Sequence, residues 1–550
     1  MGARKIYPLC ETAIVVEFGD IIDDAIHLQA MQLNKALQQA PFIGFIETVP
    51  AYTTLTIYYQ PELIQPLNLS PFVYVKNHIQ RLLTNPGIET PNSAEIVSIP
   101  VCYDEEFGYD LNLVASTNKL TKEQVIDFHQ QEVYDVYMMG FLPGFAYMGT
   151  VADAIATPRK PSPRAQVEAG SIGIAGKQTG IYPLTSPGGW QIIGRTPLSL
   201  FDLEKQDPFL FKTGDRIKFS AISKAKFDKI KKEQEVKNKI TSEESIPDLI
   251  VIKPGIYSTI QDAGRFKYQS FGVPVSGAMD ETAYHTANAL AGNQENAACI
   301  ECTMGGLQLQ FKKNAVIAVA GAGAAFVNGQ NIKSWQPLSV SKNDILEIRY
   351  NNDGMRTYVA VKGGFAAAAI MNSRSVYAKA GIGTPLKKEQ SLQFGNMLSI
   401  NPKRLTESLS VPAYSSNALI RIIPGPENNW MTPESATQIF SQSFSLSNQC
   451  DRMGYQLTAA PLSLNENKEL LSTAVTKGTI QLTPSGQLII LMSDCQTTGG
   501  YPRVAQVATV DLPVLAQLKP GDTIRFSNIS FQQAEELYLL EQKKIDAFFN

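Results

Sequence analysis

The feature that most constrains this chain is a repeat of two signatures in the same order. Residues 178–183 read QTGIYP and residues 496–502 read QTTGGYP. Downstream of each lies a second shared segment, FLFKTGDRIKF (209–219) and LAQLKPGDTIRF (515–526), both built on Lys-x-Gly-Asp-x-Ile-(Lys/Arg)-Phe. Ordered recurrence of two signatures points to duplicated units rather than to one large domain. Gly-Asp hairpins are common, which makes the second signature the weaker of the two. The expectation is a pair of related β-barrel units able to pair pseudo-symmetrically, with the two Gln-Thr…Tyr-Pro loops as candidate site walls.

The first of those loops lies inside Met138–Pro197, where glycine, proline and aromatic residues are concentrated. Glycine allows positive φ and close approach of backbone to a ligand, whereas proline fixes φ and removes a donor. That mixture beside Arg159, Arg164, Lys177, Gln178, Tyr182 and Arg195 suggests loops holding polar groups around a site. A loop-rich β domain with no site would have a similar composition.

Taken in order, residues 1–90 alternate as strand, helix, strand, strand, helix, the pattern of a small ferredoxin-like α+β domain. Residues 91–220 begin with EIVSIPVCY. Thr121 and Gln124 are spaced as a capping box for the helix TKEQVIDFHQQ, which carries His129. Residues 221–248 are lysine-rich with interspersed acids and no periodic apolar face, the signature of a solvated linker that is part helix. Residues 249–550 hold several β-rich pieces, the helix DETAYHTANALAG and a C-terminal amphipathic helix. The fold class expected is α+β and β-rich.

Several functions are excluded. A net charge of −3 argues against nucleic acid. No apolar run reaches membrane-spanning length. The first residues lack a signal-peptide core, and Ile6 stands where a myristoylation motif requires Ser or Thr, so a cytoplasmic location is expected. Cys299 and Cys302 form a CxxC without a second pair, and the four histidines are scattered, so no metal site is expected. GSIGIAGKQT is not a phosphate loop, because Ser171 and Gln178 occupy positions that require Gly and Ser/Thr. GAGAAF lacks the third glycine of the dinucleotide fingerprint.

What remains is a set of charged and amide residues in glycine-rich loops: Asp262, Arg265, Asp280, Arg452, Asp494, Gln496 and Arg503. The arginine fork suits carboxylate or phosphate, and a carboxylate shifted by burial can act as a base. For each residue taken singly, an ion pair bridging two loops is an equally good reading.

GFLPGFAYMGT and TPRKPSPRAQVEAGSIGIAGKQTGIYPLTSPGGWQIIGRTP, with the helix bearing His129, resemble the B subunit of bacterial 5-oxoprolinase. That family is also called KipI, or allophanate hydrolase subunit 1. KPGIYSTIQDAGRFKYQSFGVPVSGAMD, IIPGPE, DRMGYQL and SDCQTTGGYPRVA resemble the C subunit of the same enzyme (KipA, or allophanate hydrolase subunit 2). The resemblance covers nearly the whole chain outside the linker and implies a B–C fusion with two cyclophilin-like β-barrel units. It further implies ATP-dependent opening of 5-oxoproline to glutamate, with magnesium as the nucleotide counterion and a separate A subunit as partner. The roles expected with it are carboxylate or phosphate binding for Arg164, Lys177, Arg452 and Arg503, with Arg195 and Arg265 as further binding residues. Gln178, Tyr182, Gln496 and Tyr501 would shape the pocket, and His129, Asp262, Asp280 and Asp494 would handle protons. The same family resembles the carboxyltransferase of urea carboxylase, so transfer from carboxybiotin to a urea- or amide-like substrate is an alternative. Regulation of a sensor histidine kinase is a second.

Overall fold

The computed structural model describes residues 4–64, 69–84, 95–235, 246–396, 411–466, 468 and 470–549. Gly2 and residues 236–245 of the expected linker lie outside the described residues.

The N-terminal unit is a four-stranded antiparallel sheet in the order Lys5–Cys10, Ala13–Glu17, Thr54–Tyr59, Phe45–Pro50. Helices Asp24–Gln39 and Pro71–Thr84 bury Leu33, Leu37, Val75 and Ile79 in a common core with Ile14, Val16, Leu55 and Ile57. The Asp23 carboxylate accepts from Ile26 N at 3.0 Å and caps the first helix. The expected strand, helix, strand, strand, helix order is present from Ala13 onward. The strand beyond the pattern, Lys5–Cys10, precedes it instead of following it as in a full βαββαβ unit.

Two seven-stranded barrels share one topology. In the first, the order is Gln191–Arg195, Ser171–Ala175, Gln178–Ile181, Ala146–Gly149, Tyr134–Met139, Arg216–Ala221, Ile96–Val101. It closes where Cys102 and Arg195 exchange two backbone hydrogen bonds of 2.9 Å. In the second, the order is Arg503–Val507, Thr479–Leu482, Leu488–Leu491, Gly454–Thr458, Phe444–Leu446, Thr523–Asn528, Asn417–Pro424. In both, the first strand in sequence pairs parallel to the last. These are the cyclophilin-like units expected, and closure leaves neither with a free sheet edge. Each interior is filled by alternate aliphatic residues, such as Val136, Ile172 and Ile217 in one and Ile422, Ile480 and Ile524 in the other.

Between the barrels in sequence lies a β-sandwich that the sequence pattern did not resolve. Its six- and five-stranded sheets pack through Val251, Leu309 and Leu346 on one side and Ile300, Ile317 and Val359 on the other. Cys299 and Cys302 sit three apart on the strand Cys299–Thr303 and therefore face opposite ways. Cys299 packs in a cluster with Ala283, Tyr284 and Ala287 of helix Glu281–Ala291, and Cys302 packs in the sandwich core.

The charged run is not solvated throughout. Residues Lys224–Glu235 form a helix whose Phe227 is buried and stacks on Phe107 at 4.5 Å. One aromatic anchor docks this helix, which explains why no periodic stripe announced it.

Residues near the start of the chain are stitched to residues near its end. The buried Glu11 carboxylate accepts from Thr509 N at 2.8 Å and Thr509 Oγ1 at 2.9 Å. Thr54 Oγ1 lies 2.9 Å from Thr473 Oγ1. Arg503 Nη2 donates to Tyr7 Oη at 3.4 Å. The C-terminal helix Phe531–Phe549 docks on the N-terminal unit, where Glu535 accepts from Ser70 Oγ at 2.7 Å and Phe72 N at 2.9 Å.

Candidate functional site

Three loops from distant parts of the chain converge on one junction. The first, Gly140–Phe145, joins two strands of the first barrel; the second runs from Tyr268 to Asp280; the third, Met492–Gly499, leaves the second barrel. Gly144 N donates to Phe271 O at 2.9 Å, Phe141 N to Thr498 Oγ1 at 3.2 Å, and Ser276 N to Ser493 O at 3.0 Å. A β-carbon on Gly140 would collide with the Thr498 side chain, so only glycine permits this approach. Phe141 and Ser276 are held at φ +64° and +58°, a conformation that costs a non-glycine residue free energy and is concentrated at functional loops. From the N-terminal unit, Glu47 accepts from Lys267 N at 2.7 Å and Gln269 N at 2.9 Å, which anchors the second loop. Burial pushes the Glu47 carboxyl up.

Behind the junction lies a buried ionic network. Arg452 donates through Nε and Nη2 to Asp494, both at 2.9 Å, through Nη1 to Glu301 at 2.5 Å, and through Nη2 to Gly277 O at 2.7 Å. Glu301 also accepts from Tyr358 Oη at 2.7 Å and Met279 N at 2.9 Å. Burial opposes charge on Arg452, but the carboxylates of Asp494 and Glu301 outweigh it and hold the guanidinium well above its ordinary value. The network therefore positions the second and third loops. Every nitrogen of Arg452 is already engaged, so Arg452 and Asp494 are brought together at the junction with each other as partner.

The remaining expected residues fall into separate places. Arg503 is buried against Glu427, with Nε at 2.9 Å and Nη2 at 2.8 Å. Asp262 accepts from Gly264 N, Ser373 Oγ, Arg374 N and Ser375 Oγ at 2.5–3.0 Å, which saturates it. Asp280 caps helix Glu281–Ala291 through Ala283 N at 2.9 Å and accepts from Gln517 Nε2 at 2.6 Å; burial pushes its carboxyl up to about 6. Arg265 sends Nε to Ile370 O and Nη2 to Ser375 O, away from the junction. His129 is sealed inside the first barrel. Its Nδ1 lies 2.8 Å from Tyr103 Oη and its Nε2 3.1 Å from Thr179 Oγ1, and burial drives its pKa down to about 3, which keeps it neutral. Arg164 bonds Asp110 at 2.5 Å and covers the Tyr109 ring, while Arg195 donates to Ala169 O at 2.7 Å. Lys177 forms an exposed pair with Asp153 at 2.6 Å. Tyr501 is exposed, and Tyr182 is buried edge-on to Phe145.

The two Gln-Thr…Tyr-Pro loops do not oppose each other. Gln178 heads its strand, paired with Gly149, whereas the junction lies beyond the opposite end, where Ile181 pairs with Ala146. Gln496 falls in the connection after strand Leu488–Leu491. The wall facing the third loop is Gly140–Phe145, from the same Met138–Pro197 stretch. The glycine segments excluded as nucleotide motifs are turns between strands. Gly176 turns from Ser171–Ala175 into Gln178–Ile181, and Ala315–Gly321 leads into Ala324–Val327. No helix N-terminus follows either, so neither supplies a phosphate cradle.

Polar groups with capacity to spare at the junction are neutral. Ser276 Oγ and Thr497 Oγ1 are buried and have no hydrogen-bond partner among the described residues. The half-buried Gln496 adjoins Thr497. Buried hydroxyls are normally satisfied, so these two orphans on converging loops are unused hydrogen-bonding groups at the junction. Cys495 beside them is held as a thiol by burial, its pKa pushed up to about 12. Ser276 and Thr497 were not singled out from sequence. The only sequence signal was their place in glycine-rich segments, since serine and threonine occur throughout such loops.

This architecture, two cyclophilin-like barrels joined through a shared loop junction, defines a carboxyltransferase-type protein. Residues 4–211 match the carboxyltransferase domain, subdomain C and D, and residues 271–528 match the carboxyltransferase domain, subdomain A and B. The chain belongs to this carboxyltransferase-domain family. Within it, the chain joins regions similar to two separate proteins. It is 42% identical to the 5-oxoprolinase B subunit of Bacillus subtilis over 234 residues, 42% of this chain and 97% of that protein. It is 36% identical to the 5-oxoprolinase C subunit of Haemophilus influenzae over 282 residues, 51% of this chain and 91% of that protein. A urea amidolyase of Lachancea kluyveri is 31% identical over 316 residues, 52% of this chain but 17% of that protein. The crystal structure of TTHA0988 superposes with a TM-score of 0.80 at 31% identity, covering 94% of this chain and 99% of that one.

Proposed function

We propose that this chain is the fused B–C component of an ATP-dependent 5-oxoprolinase, opening 5-oxoproline to L-glutamate together with a separate A subunit. The observation that carries this reading is the junction itself. Its loops come from the B-like and C-like halves, so a chain fusing the two keeps one site intact. An unstrained lactam is a poor electrophile; ATP, as co-substrate, supplies activation when the lactam oxygen takes its terminal phosphoryl group and expels ADP. Water then adds to the ring carbonyl carbon, the C–N bond breaks as the nitrogen takes a proton, and a second water hydrolyses the resulting acyl phosphate to glutamate and phosphate. On this chain, Ser276, Thr497 and Gln496 bind the lactam through neutral hydrogen bonds. The Arg452–Asp494 pair holds their loops in place. Asp280, with its raised pKa, stands behind the second loop as its helix cap. The glycine hairpins offer no nucleotide cradle, and no nucleotide contact is assigned to them.

The test mixes the purified chain with its candidate A subunit and 5-oxoproline and measures glutamate with and without ATP. Glutamate formed only with ATP is expected. None formed by two folded proteins overturns the reading. Thr497→Val should lower turnover by about tenfold to a hundredfold, the worth of one or two substrate hydrogen bonds. A carboxyltransferase reading is favoured by the family description and by the urea amidolyase similarity. It requires carboxybiotin from another protein, and carboxybiotin-dependent transfer to urea or an amide would support it instead.

A further inference from the structure

A pocket of about 310 Å³ opens in the β-sandwich beside Arg265. Its walls include Ile260, Phe365, Ile382 and Leu386, and two arginines line it, Arg265 and Arg374. Arg265 is 0% exposed. Its Nε donates to Ile370 O at 3.0 Å and its Nη2 to Ser375 O at 2.6 Å, both neutral carbonyls, while Nη1 is buried with no partner. Arg374 is half-buried and donates Nε to Ala367 O at 3.0 Å. Neither guanidinium forms an ion pair among the described residues.

A buried cation is costly unless an anion and hydrogen bonds compensate it. Arg356, Arg452 and Arg503 in this molecule meet that requirement through Glu301, Asp494 and Glu427. Arg265 does not. The nearby Asp262 carboxylate is already taken up by Ser373, Ser375 and the Arg374 backbone, so it braces the pocket floor rather than pairing with Arg265. Burial without a partner pulls the Arg265 guanidinium below its ordinary value.

We propose that this pocket binds a small monocarboxylate, its carboxylate taken by Arg265 and Arg374 and its compact body packed against Ile260, Phe365 and Leu386. The volume lies at the low end of small-molecule sites, about 300–1,000 Å³, and suits a compact ligand. One free Nη1 and a half-buried second arginine suit two carboxylate oxygens. A phosphate dianion would present three strong acceptors to too few donors, and Asp262 would repel its second charge.

Binding of 5-oxoproline, butyrate, 2-pyrrolidinone and inorganic phosphate to the full-length chain, without an A subunit or ATP, tests this by calorimetry. Ring opening is neither needed nor read, so failure of the 5-oxoprolinase reading would leave the result interpretable. Any binding of the lactam 2-pyrrolidinone belongs to the loop junction and should not compete with butyrate, whose saturable binding at the pocket is expected. Arg374→Met should weaken it by about tenfold to a hundredfold, the worth of a charged hydrogen bond. Thr384→Trp, at the exposed rim, should block entry while leaving the fold intact by denaturation; Arg265→Met should abolish binding if it folds. Three outcomes overturn the proposal: no saturable carboxylate binding up to the millimolar range, carboxylate binding unchanged in both Arg374→Met and Thr384→Trp, or phosphate binding tighter than either carboxylate.

Discussion

The two barrels follow one plan and solve one local problem differently. Both end in the same turn: Lys212 N donates to Asp215 Oδ2 and Lys519 N to Asp522 Oδ2, each at 3.0 Å, with Gly214 and Gly521 at φ +91° and +90°. In each barrel, two connections meet at the end that faces the junction. In the first barrel they meet through Phe145 and Tyr182, edge-to-face at 5.1 Å. In the second, the corresponding connections meet through Arg452 and Asp494. The barrel cores differ in the same sense. His129, near the end of its helix and stacked on Phe219 at 4.4 Å, corresponds to Ile439 in helix Pro433–Ser441. The fold accepts an apolar or a polar filling at either place. An aromatic contact is complete within its own barrel, whereas the ionic one reaches out to Glu301 and ties the second barrel to the sandwich.

The comparison breaks most sharply at the ionic pair. Arg452→Met leaves Asp494 buried without a cation and leaves Glu301 with only the more distant Arg356, and should cost about 3–5 kcal/mol of stability by denaturant unfolding, whereas Tyr182→Phe should change it little. Next comes pH. The unfolded chain protonates His129 near its ordinary 6.5 and the folded chain only near 3, so the unfolded state takes up the proton first and stability falls as pH drops through that interval. A His129→Ile/Tyr103→Phe pair, the first change copying Ile439 of the second barrel and the second removing the hydroxyl it would leave unpaired, should flatten that fall relative to the natural chain by a few kcal/mol. Gly140→Ala should lower stability by about 1–3 kcal/mol through overpacking against Thr498, and Thr498→Ala should recover part of it. The smallest effect belongs to the exposed Lys177–Asp153 pair, where Lys177→Ala should change stability by less than about 1 kcal/mol and leave glutamate formation unaltered.

Much of the plan was legible in the residues. The terminal Lys-x-Gly-Asp turns are true equivalents, although their commonness made them the weaker signature. The Thr121–Gln124 capping box forms with both its hydrogen bonds. The Gln-Thr…Tyr-Pro match was compelling as a string of letters but places its glutamines differently, because a strand in one barrel corresponds to a connection in the other. The sandwich escaped notice because its strands pair across long separations that no local period records. Arginines and carboxylates in glycine-rich loops looked like ligands for a substrate. Most are consumed by partners whose positions only the fold reveals, Glu301 for Arg452 and Glu427 for Arg503. Replacing Asp494 or Arg503 would therefore report first on folding, and Ser276 and Thr497 are the better probes of chemistry.

The contacts between the first strand and the last barrel also set a timetable for synthesis. Tyr7 and Arg503 are 496 residues apart in the chain. At about 5–20 residues per second, the ribosome takes roughly 25 to 100 seconds to supply that partner. Until then Glu11, enclosed against Thr509 in the finished molecule, stands open to water, and a chaperone would meet an N-terminal unit whose polar seam is still exposed.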